Sequence, residues 1–158
     1  MDVRALIQKH EGCTLFAIKD TRGFSIGWGH DGAAEGETCT QAQADSLFEQ
    51  DFAAATAGAC SVLGEESWAL LNEPRQAALT DMAFEMGASG LAGFKVSLSL
   101  IRLGDFDAAS ANMLLSAWAK EVPRRAWEDA LIVRTGEFPA SEAGPRFREE
   151  TPESLPQF

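Results

Sequence analysis

Apolar and polar positions recur along this chain with two different periods, and the change of period marks out its plan. Val3, Leu6, Ile7 and His10 repeat at helical spacing behind Asp2, a good capping residue, and Gly12 stops the repeat. The period then shortens to that of extended chain. Residues 14–19 and 24–28 read as two strands joined by a turn at 20–23, and residues 31–38, rich in glycine and acid, read as a loop.

From Thr40, an expected N-cap, a long helix is predicted to about Ala59, with Leu47, Phe48, Asp51, Phe52 and Ala55 on its inward stripe. Pro74 suits the first turn of the next helix. There Ala78, Leu79, Met82, Ala83 and Met86 repeat on one side, and Gly87 and Gly90 punctuate the run. Further helices are predicted over about 95–103, stopped by Gly104; from Asp105 or Asp107 to about Trp118; and from Pro123 through Arg134, closed by Gly136. A hairpin, one long helix and then a run of helices predict a small mixed lobe joined by a spine to a helical one. Beyond Phe138 the pattern ends. Pro139, Pro145, Pro152 and Pro156 fall there with Glu142, Glu149, Glu150 and Glu153, which predicts an irregular tail, wrapped on the surface or disordered.

Composition narrows this plan. A chain of 158 residues, 46% hydrophobic, fits one domain or two small lobes sharing a helix. No apolar run reaches membrane-spanning length, and the first residues alternate apolar with polar. The expectation is a soluble product made in the cytoplasm without a secretory signal and not inserted in a membrane. Cys13, Cys39 and Cys60 are odd in number and far apart, so no disulfide framework is expected; His10 and His30 are too few for a His-rich zinc site. A net charge of −11 argues against nucleic acid as a partner. It would also set the chain against any anionic polymer through its own field at low salt.

The candidate chemistry lies in residues 7–30. Glu11 ends the first helix beside apolar residues, and Asp20 stands in the polar turn of the hairpin. Ser25 supplies a hydroxyl ahead of the segment Gly27-Trp28-Gly29-His30. One carboxyl able to keep its proton and another that stays ionised is the pair that glycoside hydrolysis uses. A Ser25–His30–Asp20 triad can be drawn, but nothing around Ser25 resembles a nucleophile elbow.

HEG…KDTRGFSIGWGH, QADSLFEQD, RQAALTDMAFEMGASGLAGF and SAWAKEVPRRA…VRTGEF together resemble, in order, the phage-type lysozymes of glycoside hydrolase family 24. The resemblance covers roughly residues 3–138 and implies a lysozyme-like α+β fold. Its parts would be a small N-terminal lobe with a β-hairpin, a long connecting helix and an α-helical C-terminal lobe. The implied division is a catalytic domain over 1–138, with the N-terminal lobe at about 12–58 and the helical lobe at about 59–138 plus helix 1–11, followed by the tail 139–158. The implied activity is cleavage of the β-1,4 bond between N-acetylmuramic acid and N-acetylglucosamine in peptidoglycan, with no metal or cofactor. An endolysin of this kind would be a monomer, released to the wall through a separate holin; a lysozyme carried in the virion is the alternative setting. A silent glycan-binding module and a lytic transglycosylase are the competing classes.

The resemblance also assigns roles. Glu11 matches the general acid, and Asp20 the carboxylate that activates water. Ser25 stands where the family usually has threonine, one residue further from the aspartate, and is expected to hold that water. The turn around residues 22–24 is expected to absorb the missing residue, with Thr21 as the fallback hydroxyl. His30 and Asp51 match a pair that ties hairpin to spine. Arg125 matches an arginine that reaches across the groove to the general acid, where its charge would oppose burial. Glu85, where the family usually has an amide, is assigned with Phe84 to substrate contact. The Glu85 carboxylate would bond an N-acetyl group, raise the proton affinity of Glu11, or point away.

Overall fold

The structure is a computed structural model describing residues 1–139, so the tail expected over 139–158 lies outside the described residues but for Pro139. It is α+β, with eight helices and one small antiparallel sheet of order β1-β2-β3 among the described residues. Helix α1 (Val3–Glu11) is capped by Asp2, whose carboxylate accepts from the Ala5 N–H at 2.8 Å, and its Leu6 and Ile7 are fully buried. Strands β1 (Thr14–Lys19) and β2 (Phe24–Gly27) form the hairpin. Strand β2 stops one residue short of the predicted Trp28, because Gly27 and Gly29 take positive φ and fold the chain back into β3 (His30–Asp31). The segment read as loop also returns to the sheet: Glu37 and Cys39 exchange backbone hydrogen bonds with the free edge of β1.

The hairpin turn is tight. Asp20 Oδ1 accepts from the N–H groups of Arg22 (2.7 Å) and Gly23 (3.0 Å), the self-bonding geometry that makes aspartate a turn residue. The register irregularity lies in β1, between Thr14 and Ile18, where four steps on β1 face two on β2 (Thr14↔Gly27, Ile18↔Ser25). A bulge there shifts the pairing without loosening the turn, which is not where the sequence placed the adjustment.

Helix α2 (Gln41–Leu63) is the spine, about 34 Å long at 1.5 Å per residue. Thr40 and Gln43 form a reciprocal capping box at its start. It runs four residues past the predicted end at Ala59. Arg102, from a later helix, donates to the terminal carbonyls of Val62 and Leu63 at 2.8 and 2.9 Å, a cap supplied by tertiary contact. Its buried stripe is Ala44, Phe48, Ala55, Ala59 and Leu63, whereas Leu47, Asp51 and Phe52 are only half-buried at its margin.

Behind it follow α3 (Glu65–Ala69), which was not predicted, and α4 (Glu73–Ala92), packed along α2. Gly87 breaks the path of α4 with φ 74°, as the glycine punctuation implied. Helix α5 (Lys95–Arg102) matches expectation, but the next predicted helix is two: α6 (Phe106–Met113) and α7 (Ala117–Glu121). Ser116 separates them, its hydroxyl accepting from Ala119 N at 3.1 Å and so starting a new helix. That turn swings Trp118 into the core, edge-on to Phe94. Helix α8 (Pro123–Thr135) closes on Gly136, and Arg75 and Asn72 bond its last carbonyls. No helix among the described residues is long and apolar enough to cross a membrane.

Candidate active site

The site forms where the C-terminal end of α1 meets α4, α8 and the return of the hairpin. Glu11, the last residue of α1, has 18% of its side chain exposed, and its Oε1 accepts from Arg125 Nη1 at 2.7 Å. Burial raises its proton affinity above that of an ordinary glutamate, and the Arg125 charge and hydrogen bond oppose this without cancelling it. A carboxyl in that state can hold a proton and deliver it.

Gly29 closes the other side of Glu11. Its φ is +87°, and a Cβ there would stand 2.8 Å from Glu11 Oε2. No other residue type fits without moving the carboxyl or straining the backbone. Gly29→Ala is therefore expected to lower hydrolytic turnover by about a hundredfold, the scale of an ångström's misplacement of a catalytic group. Activity close to wild type in assays matched for folded protein would show that Glu11 does not depend on this contact.

Asp20 has the opposite environment. It is exposed at the hairpin tip, where the backbone N–H of Arg22 is the largest influence. With the Gly23 N–H and the Ser25 hydroxyl, it holds the carboxyl below the usual aspartate range, so Asp20 stays ionised. Ser25 lies across from Ile18 in the hairpin, which places its hydroxyl beside this carboxylate. Asp20 and Glu11 share no partner: Asp20 is held by its own hairpin, and Glu11 by α8.

Between hairpin, α2 and α4 lies a cavity of about 340 Å³ lined by Gly29, His30, Asp51, Phe84, Gly87 and Ala88 among others. His30 Nδ1 and Asp51 Oδ2 are 2.8 Å apart across its floor, joining β3 to α2. Phe84 also packs on Phe48, with ring centroids 5.6 Å apart. Glu85 does not extend freely into the groove. Its Oε2 accepts from Trp118 Nε1 at 2.9 Å and lies 3.2 Å from Arg125 Nε. Of the predicted site residues, the structure thus gathers Glu11, Arg125 and Glu85 into one cluster, with Phe84, His30 and Asp51 in the adjoining cavity. Asp20 and Ser25 lie on the hairpin, with the Ser25 hydroxyl bonded to the Asp20 carboxylate.

Four ionisable residues behind Glu11 were not among the predicted site residues: Asp81, His10, Glu128 and Asp129. Asp81 takes two nitrogens of Arg125, Nε and Nη2, each at 2.9 Å. His10 spans Asp81 and Glu128, with Nδ1 and Nε2 each 2.9 Å from a carboxylate oxygen. Asp129 is fully buried beside them. The available signal was acid on an apolar face: Asp81 lies between Ala78 and Met82, and Asp129 between Ala126 and Val133, positions that a solvated carboxylate would not occupy.

Similarity to known proteins follows the same geometry. Over 86% of its length the chain is 28% identical to the pre-baseplate central spike protein Gp5 of Enterobacteria phage T4, of which it spans 28%. Over 49 residues it is 51% identical to the endolysin of Lactococcus phage c2, spanning 22% of that protein. It is also 28% identical to a probable T4-type lysozyme of Dictyostelium discoideum, over 85% of this chain and 94% of that one. The chain thus spans less than a third of the phage relatives named here. The family model described as phage lysozyme matches residues 8–134, from the middle of α1 through the hairpin and spine to the last turn of α8, and the chain belongs to that family.

Proposed function

We propose that this protein is a peptidoglycan hydrolase that cleaves the β-1,4 bond between N-acetylmuramic acid and N-acetylglucosamine, leading to lysis of the bacterial cell. The supporting observation is the divergence of its two carboxyls: burial raises the proton affinity of Glu11, and three hydrogen-bond donors lower that of Asp20. Glu11 gives its proton to the glycosidic oxygen as the bond to the anomeric carbon breaks. Asp20, with Ser25 orienting the water, takes a proton as that water attacks the same carbon from the opposite face. The sugar leaves with a new hydroxyl on each fragment, the proton on Asp20 returns to solvent, and Glu11 takes one back from solvent. Phe84 and Glu85 border the glycan, Arg125 holds Glu11, and the His30–Asp51 contact fixes the hairpin against the spine. Residues 1–138 form the catalytic domain in this reading, acting as a monomer without metal or cofactor.

Two settings are compatible with this chemistry. An endolysin would reach the wall through a holin lesion. A lysozyme built into the virion is favoured by one specific observation, the similarity to a phage T4 spike protein of which this chain matches only 28%. Virion proteomics separates the two.

Mass spectrometry of muropeptides from purified peptidoglycan tests the activity. Fragments ending in reducing N-acetylmuramic acid are expected, and Glu11→Gln should release none. Anhydro ends would make the protein a lytic transglycosylase. Equal inertness of wild type and Glu11→Gln would leave a glycan-binding module.

A further inference from the structure

Behind Glu11 and Arg125 lies a chain of ionisable groups to which the reaction above assigns no role. Three helices contribute: Lys9, His10 and Glu11 from α1, Asp81 and Glu85 from α4, and Arg125, Glu128 and Asp129 from α8. Their contacts alternate in sign, from Glu11 to Arg125 (2.7 Å), Arg125 to Asp81 (2.9 Å), Asp81 to His10 (2.9 Å), His10 to Glu128 (2.9 Å) and Glu128 to Lys9. The grip of Asp81 on Arg125 is the tightest part. Both carboxylate oxygens and the backbone carbonyl (3.2 Å) of Asp81 accept from the guanidinium, leaving Nη1 for Glu11.

We propose that Asp81 is a positioning residue for the general acid: it takes up the charge of Arg125 and fixes its orientation, so that Glu11 receives one hydrogen bond from the guanidinium but only part of its field. The inference rests on the assignment of Glu11 made above. An arginine facing Glu11 alone would strip its proton, whereas an arginine shared with a buried carboxylate holds the side chain still and leaves the proton in place.

The surroundings of Asp81 agree. Burial works against its charge, but His10 and Arg125 together hold it ionised. His10, though buried, is held protonated by Asp81 and Glu128, because a ring between two carboxylates donates from both nitrogens. Asp129 completes the account. It is fully buried, and burial, with the charge of the adjacent Asp81 and a side-chain hydrogen bond to it, raises its proton affinity far above that of an ordinary aspartate. Asp129 is therefore a neutral acid beside an ionised one, and the cluster carries no unopposed negative charge. A divalent cation on His10, Asp81 and Asp129 would have to displace ring and guanidinium contacts already made at 2.9 Å.

The test is a ¹³C NMR titration of the Glu11 carboxyl in the full chain, run beside the pH–rate profile. Asp81→Asn removes a negative charge while keeping the backbone carbonyl and one side-chain acceptor for Arg125. It should move the Glu11 titration and the alkaline limb of the rate to lower pH by about one unit, a tenfold loss of rate on that limb. His10→Gln removes a positive charge and should move both upward. Should Asp81→Asn fail to fold, His10→Gln alone decides. A Glu11 titration that stays in place, or that moves against these signs, overturns the proposal. So does stabilisation by excess zinc chloride that is lost in Asp129→Asn, which would make the cluster a metal site. If the titration shifts as stated while no variant or wild type hydrolyses peptidoglycan, the hydrolase assignment fails and the Asp81–Arg125–Glu11 coupling stands.

Discussion

Glu11→Gln should reduce peptidoglycan hydrolysis by about a thousandfold, in the middle of the range for losing a general acid, and should do so without unfolding the protein. The second half of this expectation follows from the sign of the shift. Folding raises the proton affinity of Glu11, so its ionised form is disfavoured in the native state. The penalty is absent below the unfolded-state pKa. It grows as pH rises toward the folded value and is complete above it. An amide carries no such penalty, and Arg125 keeps Asp81 and Glu85 as partners when Glu11 is neutral. The melting temperature of Glu11→Gln at neutral pH should therefore equal or exceed that of wild type, the usual relation between a catalytic group and the fold that tolerates it. A fall of several degrees would mean that Glu11 is chiefly a structural partner of Arg125. Retained activity would remove it from the reaction altogether.

The largest stability effect belongs to Arg125, which is 8% exposed and whose guanidinium lies against three carboxylates. Arg125→Met keeps much of the side-chain volume but leaves Asp81, fully buried, with His10 as its one remaining charged partner. Stranding a buried charge costs about 3–5 kcal/mol, whereas the intact pair adds little beyond what a well-packed apolar pair would give. For a chain of this size the melting temperature should drop by roughly 6–20 °C. The companion experiment is Arg125→Met with Asp81→Leu. If the loss arises from the stranded charge, the second change restores much of the stability while activity stays low. If both variants melt alike, the loss comes from packing.

Much of the fold follows from local signals. Asp2, Thr40 and Asp105 cap helices because their side chains reach backbone N–H groups three residues away, and such bonds depend on neighbouring residues alone. The same locality made Glu11 and Asp20 recognisable: one ends an amphipathic helix, and the other sits in a turn that bonds its own backbone. The misses have a common origin as well. Helix α2 continues to Leu63 because Arg102 arrives from 39 residues away to cap it. The predicted helix to Trp118 divides because Ser116 found a closer acceptor role than a continuous helix would allow.

The alternation of hydrophobic periods and the capping residues were enough to set the order of hairpin, spine and helical lobe, and to place one carboxyl at the end of the first helix and another in the hairpin turn. Those features arise within a few residues of one another, where spacing along the chain is spacing in the molecule. The tertiary structure alone decided which carboxyl has the raised proton affinity, since that depends on burial and on Arg125, 114 residues away from Glu11. It alone brought His10, Asp81 and Asp129, from three different helices, into one cluster of buried groups. Electrostatic energy depends on distance and on exclusion of water, and neither is fixed until the helices have packed.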